Sequence, residues 1–317
     1  MVLMLRRDEV EPLLDLPQAI DVTKAVAQED AAGTVVRMPP FGGNGWSRRI
    51  VRVVGGGLFG LGRFGIRAGE LALVFDADTS EALAIMDLPT GDLRLAASVA
   101  TAAQYLARED AHRLALIGSG TVAHAMLRGL CAVRPIDDVR VYSRSPEHRR
   151  AFAESASAEF GISVAPADAA EAAVRDADVV AAGTNAREPL VRYEWLRPGT
   201  HVSSAGLNFE LDRSVYERAD QFVAASPQQE IASAAPTDTP GRVTGGPISE
   251  LLRDGTLSPA AIVALGTIVR GDVAPRSGPN DINVFRESRG GLGDAALAAR
   301  AYDLARQRGL GTEFALR

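Results

Sequence analysis

Two short stretches carry residues whose types and spacing suit them to hold a nucleotide. Gly118-Ser119-Gly120-Thr121-Val122-Ala123 follows the apolar run RLALIG (113–118) and opens a helix-like segment. In that setting G-x-G-x-x-A reads as a phosphate cradle. Gly118 permits a tight turn, Gly120 lets the backbone approach a pyrophosphate, and Ala123 lets the helix pack closely on a sheet. The helix N-terminus adds oriented N–H groups and partial positive charge. The alternative, a glycine turn that holds no ligand, is disfavoured by the strand–turn–helix context. The second stretch is VRVYSRS (139–145). An NAD-preferring site places Asp or Glu at the end of this strand to accept from the ribose hydroxyls, and here stand Ser143, Arg144 and Ser145. With no carboxylate there, nothing repels a 2′-phosphate. Arg144 offers it a charge-assisted fork, the serine hydroxyls can donate, and Arg149 is close enough in sequence to assist. The expected cofactor is NADP(H), with NAD(H) the alternative if Arg144 is only a solvated loop residue. Gly183, Thr184 and Gly206, at the ends of later strands, complete the expected cofactor-binding set.

Strands and helices must alternate to position these residues. RLALIG, VRVYSR (139–144), ISVAP (162–166), DVVAAGT (178–184) and HVSSAG (201–206) are short apolar runs, and QFVAAS (221–226) makes a sixth. Helix-like segments separate the first four, and a helical turn around Tyr193–Leu196 precedes the fifth. The pattern predicts a Rossmann-type, doubly wound parallel sheet with right-handed crossovers. Before it, residues 8–31 read as one or two helices with Asp8 and Asp21 as N-caps. Glycine-rich strands follow (IVRVVGG, GRFGIRA), then LALVFDADTSEALAIMD as a hairpin and a helix over 92–109. The alanine-rich segment from about Gly293 to Gln307 is a helix that needs a surface to pack on, and it is expected to return to the N-terminal part. The reading is an α/β chain: a dinucleotide-binding domain (113–292) inserted in a smaller α+β substrate-binding and dimerisation domain (1–112 plus 293–317).

The 317 residues suffice for two such domains. A net charge of −6 argues against a nucleic-acid footprint, which needs clustered cations. Cys131 is the only cysteine and the four histidines are scattered, so no disulfide and no metal site are expected. No window approaches a membrane span and the apolar N-terminal run is too short for a signal peptide, which points to a soluble, cytoplasmic protein. Lys24, the only lysine, lies in an ordinary amphipathic helix pattern and is a poor candidate for catalysis.

The order of motifs resembles the ornithine cyclodeaminase/mu-crystallin family. VRVYSRSPEHRRAFAESASAEFGISV is similar to that family's second βα unit, AREPLVRYEWLRPGTHVSSAG to its late Rossmann strands, and NDINVFRESRGGLGDAALAARAYDLARQRGLG to its C-terminal segment. The resemblance implies hydride chemistry at the α-carbon nitrogen of an amino acid, with an amino-acid or imino-acid substrate and a homodimer whose partner covers exposed sheet edges. It also implies site residues. Arg94, in D-L-R-L-A-A, matches the arginine that clamps the substrate carboxylate, although Leu95 follows where the family usually has Thr. Arg67, in F-G-I-R, stands where the family has a pocket lysine; it can hold a carboxylate, but its pKa is too high for proton transfer. Where the family has P-x-R this chain reads M-P-P-F, with Arg48 or Arg49 as nearby substitutes. The bland reading of Arg67 and Arg94 is salt bridging at a domain boundary.

The largest departure from the family lies after the fifth strand. In Gly206-Leu207-Asn208-Phe209-Glu210-Leu211, Asn208 occupies the slot of an aspartate near the reacting amine. An amide can hydrogen-bond an amine but cannot take its proton. Glu210 or Asp212 could swing in, although E-L-D more naturally starts the next helix. The expected activity is therefore an NADPH-dependent reductase of a cyclic imine or imino acid, or the reverse amino-acid dehydrogenase. The alternatives are a cyclodeaminase that releases ammonia from ornithine or a related diamino acid, and an NADPH-dependent binding protein without turnover.

Overall fold

A computed structural model describes residues 1–38, 41–44, 50–234, 245–287 and 291–315. They form two compact units, residues 1–97 with 291–315 and residues 98–234 with 245–287. The first division falls inside the helix Gly91–Leu106.

The first unit is built on a mostly antiparallel sheet. Its strands are β1 (Val2–Leu5), β2 (Val35–Arg37), β3 (Phe41–Asn44), β4 (Ile50–Leu58), β5 (Arg63–Ala68), β6 (Leu71–Asp76) and β7 (Ala82–Asp87). The chain's last strand, Thr312–Phe314, pairs with β1, and the order continues β7, β6, β5, β4, β2, with β3 also on β4. The predicted hairpin is β6–β7; its turn is held by the Asp76 carboxylate, which accepts from the N–H groups of Asp78 and Thr79. The predicted terminal helix is present as Gly291–Arg308 and packs on β4 and β5. The glycines of those strands are its seat: a Cβ at Gly56 would come within 2.4 Å of Leu292, and one at Gly65 within 2.7 Å of the Ala295 backbone.

The N-terminal caps differ from expectation. The helices are Arg7–Val10 and Leu16–Ala31, so Asp8 and Asp21 lie inside them. Asp15 is the cap of the longer helix: its carboxylate accepts from the N–H of Gln18, whose amide oxygen accepts in return from the Asp15 N–H. Pro17 fits the first turn, where its missing N–H costs nothing.

The second unit contains eight strands: β8 (Arg113–Ile117), β9 (Asp138–Tyr142), β10 (Ser163–Pro166), β11 (Val179–Ala182), β12 (His201–Ser204), β13 (Gln221–Ala224), β14 (Ile262–Ala264) and β15 (Asn283–Arg286). All their pairings are parallel, in the order β10-β9-β8-β11-β12-β15-β13-β14. The six expected strands are present. β15 adds a feature not anticipated, inserting between β12 and β13 so that the sixth run does not neighbour the fifth. All four of its residues are buried, which suits a strand covered on both faces. The strand order reverses between β8 and β11, and the glycine turn sits at this switch point, where ligands of open α/β sheets bind. Among the described residues no helix is long and apolar enough to cross a membrane, and no cluster of three or more His, Cys, Asp or Glu could hold a metal.

Candidate functional site

The turn after β8 is built on two glycines that are needed for different reasons. Gly118 has φ +123°, donates its N–H to the Tyr142 carbonyl at 2.8 Å, and would place a Cβ 2.6 Å from the Gly183 oxygen. The fold itself requires a glycine there. Gly120 has φ −103°, which any residue adopts, and no atom lies within 4 Å of where its Cβ would stand. Packing leaves that space free, at the start of the helix Thr121–Cys131, which has no side-chain cap. A backbone open to close approach, with uncapped first-turn N–H groups, fits a pyrophosphate.

Gly118, Ser119, Gly120, Gly183 and Thr184 line a cleft of about 670 Å³. Ser143, Arg144 and Ser145 line it too, together with Tyr142 and His148. Asn185, Ala186 and Leu190, which sequence reasoning missed, complete the lining; the loop after β11 carries no distinctive pattern that would have marked them. The other expected cofactor positions shape the turn. Thr121 is exposed in the first helical turn, Val122 and Ala123 pack against Gly183, and Gly206 abuts the Thr184 backbone.

The ribose end differs in detail from expectation. The Ser143 hydroxyl donates to the Ser145 carbonyl at 3.2 Å. Ser145 caps the helix Pro146–Phe160, accepting from the His148 N–H at 3.1 Å and donating to Glu147 at 2.9 Å. Arg149 is buried, donating to the Ser143 carbonyl at 3.1 Å and to Asp168 at 2.6 Å. It braces the turn from behind, because its guanidinium already has partners there. Arg144 is exposed at the cleft. Glu147 brings a carboxylate to the same turn, one the strand-end rule does not count. Its own backbone N–H and the Ser145 hydroxyl hold it below the usual carboxylate range.

Beyond β12, a buried polar network organises the loop that carries Asn208. Glu210 has no exposed surface, and its carboxylate accepts four hydrogen bonds: from the Thr184 N–H (2.8 Å) and hydroxyl (3.0 Å), the Ser204 hydroxyl (2.7 Å) and the Gly206 N–H (2.8 Å). Burial pushes its carboxyl above the usual range, while Arg286 and these donors pull it back. Arg286, at the end of β15, donates to the Ser204 hydroxyl (2.7 Å), the Gly206 carbonyl (2.9 Å) and the Asn208 side-chain oxygen (2.6 Å). It also lies 3.7 Å from Glu210 and 3.8 Å from Glu230. Asp212 caps the helix Arg213–Arg218, accepting from both the N–H and the hydroxyl of Ser214. Glu210 and Asp212 are thus both committed, and the option that either swings toward a substrate is set aside. Arg286 and Glu230 were missed; in sequence Arg286 merely ends a short apolar run, INVFR.

In the first unit Arg67 leaves β5 and Arg94 the helix Gly91–Leu106, and both reach the same oxygen of Asp294. Arg67 Nη1 donates to Asp294 Oδ1 at 2.9 Å, and Arg94 Nε lies 3.5 Å from that atom. The Arg67 guanidinium rests over Gly91, and Gly293 closely abuts the Arg94 stem. Leu95 is buried. Arg48 and Arg49 lie outside the described residues. Asp294 had not been singled out, because an acid in the first turn of a helix is ordinary.

An all-parallel sheet with a glycine turn at its switch point, in a chain whose other, smaller unit carries paired arginines, defines a Rossmann-type dinucleotide-binding protein of two-unit construction. The chain belongs to the ornithine cyclodeaminase/mu-crystallin family, whose model matches residues 67–309. It is similar to a Δ1-pyrroline-2-carboxylate reductase of Paracoccus denitrificans, 32% identical over 242 residues, or 72% of this chain and 70% of that protein. Alignments span 65–70% of the length of curated relatives such as this one. Among solved structures, the Δ1-pyrroline-2-carboxylate reductase of Thermococcus litoralis in complex with NADH and L-proline has a TM-score of 0.84 at 25% identity, covering 99% of this chain and 100% of that one. An archaeal alanine dehydrogenase dimer with bound NAD has a TM-score of 0.85 at 25% identity, covering 100% and 99%.

Proposed function

We propose that the chain is an NAD(P)-dependent oxidoreductase that reduces a cyclic imine or imino acid to the amino acid, or runs the reverse reaction. Gly118, Gly120 and the uncapped helix behind them hold the pyrophosphate, and Arg67 and Arg94 take the substrate carboxylate. When bound, the nicotinamide supplies or accepts the hydride. The observation that carries the choice of reduction over cyclodeamination is the state of the loop after β12. Asn208 is an amide whose oxygen already accepts from Arg286, while Glu210 and Asp212 are held in hydrogen bonds. Closing a diamino acid needs a group that handles protons at two amines in turn, and the described side chains of this loop offer no free base. Reduction of C=N asks less, because water can deliver the proton.

Arg144 at the cleft supports NADP(H) as the preferred cofactor, with Glu147 as the opposing charge. The exposed edge residue Val36 on β2 and the dimeric alanine dehydrogenase support a homodimer. A cytoplasmic setting accords with the single cysteine, Cys131, whose thiol burial pushes up to about 11.

The test is absorbance at the nicotinamide band with NADPH and NADH, using Δ1-pyrroline-2-carboxylate and Δ1-piperideine-2-carboxylate. Substrate-dependent oxidation is expected. Ammonia release from ornithine without such oxidation would move the assignment to a cyclodeaminase, and tight dinucleotide binding with neither activity would move it to a binding protein.

A further inference from the structure

The turn from Ser143 to Arg149 sorts its charges by the direction each residue faces. Of its basic residues, Arg149 turns inward to the Ser143 carbonyl and Asp168, whereas Arg144 and His148 are exposed and line the cleft of about 670 Å³. Glu147 is exposed as well, but it is not among the residues that line the cleft, and its carboxylate accepts from the Ser145 hydroxyl at 2.9 Å. Successive residues of an α-helix face about 100° apart, so Glu147 and His148, the second and third residues of the helix Pro146–Phe160, look in different directions. The His148 main-chain N–H donates to Ser145 Oγ at 3.1 Å, while its ring makes no hydrogen bond among the described residues. The cleft therefore meets two basic side chains from this turn, and the acid between them in sequence stands aside.

We propose that His148 is a second reader of the 2′-phosphate of NADP(H), acting beside Arg144. A phosphate monoester presents three strong acceptor oxygens. The planar fork of Arg144 can hold two of them, and an imidazole N–H can take the third. Imidazole keeps at least one ring N–H donor in either protonation state, so the contact does not depend on the ring being charged. NADH carries an uncharged hydroxyl at the same place, which gives a second basic group nothing to neutralise, and His148 therefore adds to the NADPH side alone. The inference rests on the reading of Arg144 as a phosphate-binding residue and makes His148 a specificity residue with no part in hydride transfer.

Calorimetric titration of the full chain with adenosine 2′,5′-bisphosphate and adenosine 5′-monophosphate tests this, because the two probes differ only in the 2′-phosphate. The wild-type chain is expected to bind the bisphosphate at least about tenfold more tightly. In His148→Ala that ratio should fall about fivefold, with affinity for the monophosphate unchanged, and His148→Arg should restore it. Arg150→Ala removes an exposed charge from the same helix that does not line the cleft, and the ratio should stay as in the wild type. Equal weakening of both probes in His148→Ala, the signature of a ring that stacks on the adenine, overturns the proposal. So does a loss in Arg150→Ala as large as that in His148→Ala, which would make the effect one of general charge. A ratio that collapses in Arg144→Ala but holds in His148→Ala refutes this inference and leaves the cofactor reading standing. A wild-type chain with no preference for the bisphosphate refutes both.

Discussion

Arg286 holds the side-chain amide of Asn208 by its oxygen, at 2.6 Å. A guanidinium has only donors, so the amide must turn its acceptor inward, and only the NH₂ group remains free to meet a ligand. The position that could have carried a base is thereby a fixed donor, and the device that fixes it is an arginine 78 residues further along the chain.

Replacing Asn208 separates this bond from simple packing. Asn208→Ala leaves a buried guanidinium N–H unsatisfied and should cost about 1–3 kcal/mol of stability. Asn208→Asp keeps an acceptor in place and should cost less. Urea denaturation of the two variants checks the order; equal losses would show that the bond contributes nothing.

The two glycines of the turn should respond in opposite ways. Gly118→Ala forces a side chain into positive φ and against the Gly183 carbonyl, so the melting temperature should fall, by about 1–3 kcal/mol in stability terms. Gly120→Ala meets no protein atom and should leave stability within about 0.5 kcal/mol while weakening dinucleotide binding at least tenfold. Thermal melts and tryptophan-quenching titrations with NADPH and NADH read both quantities.

Cofactor choice should turn on Arg144. In Arg144→Ala the Kd for NADPH should rise about tenfold, the loss of a charge-assisted hydrogen bond to a phosphate, and that for NADH should stay nearly constant. Glu147→Gln should shift preference further toward NADPH. If the NADPH/NADH ratio does not move in Arg144→Ala, the arginine is a solvated loop residue.

Acid stability should depend on Asp178. Burial works against its charge, but the N–H groups of Arg113 and His112, together with the Arg113 and Arg108 side chains, hold its carboxyl below the usual value of 3.8. A depressed folded-state pKa means that its contribution is complete above the unfolded value, near pH 4, and is lost as pH falls through the lower folded value. Denaturation midpoints should therefore drop below about pH 4. In Asp178→Asn they should be lower at neutral pH, and part of that acid-side fall should vanish.

The local language of the chain carried the dinucleotide unit. Six strands, the glycine turn and the last helix were all legible because apolar runs, glycine spacing and helical period act over a few residues. β15 was not, since four buried residues look like any short apolar run until neighbouring strands claim them. Nor was the inward turn of Arg149, whose partner Asp168 is brought near only by the fold; the N-cap Asp15, by contrast, is a local feature, since Gln18 three residues on completes a capping box.

The amino-acid order alone determined that residues 118–123 form a glycine turn between a strand and a helix and that a basic residue, Arg144, stands in the strand-end turn where an acid is usual. These are properties of contiguous segments, whose backbone geometry follows from the residues themselves. The tertiary structure alone decided that Arg286 orients Asn208, that Glu210 braces the ends of two strands, and that Asp294 lies between Arg67 and Arg94. Those contacts join residues as much as 227 positions apart. A buried charge takes whichever partner folding brings within reach, and nothing in the spacing of Asp294 from either arginine announces that meeting.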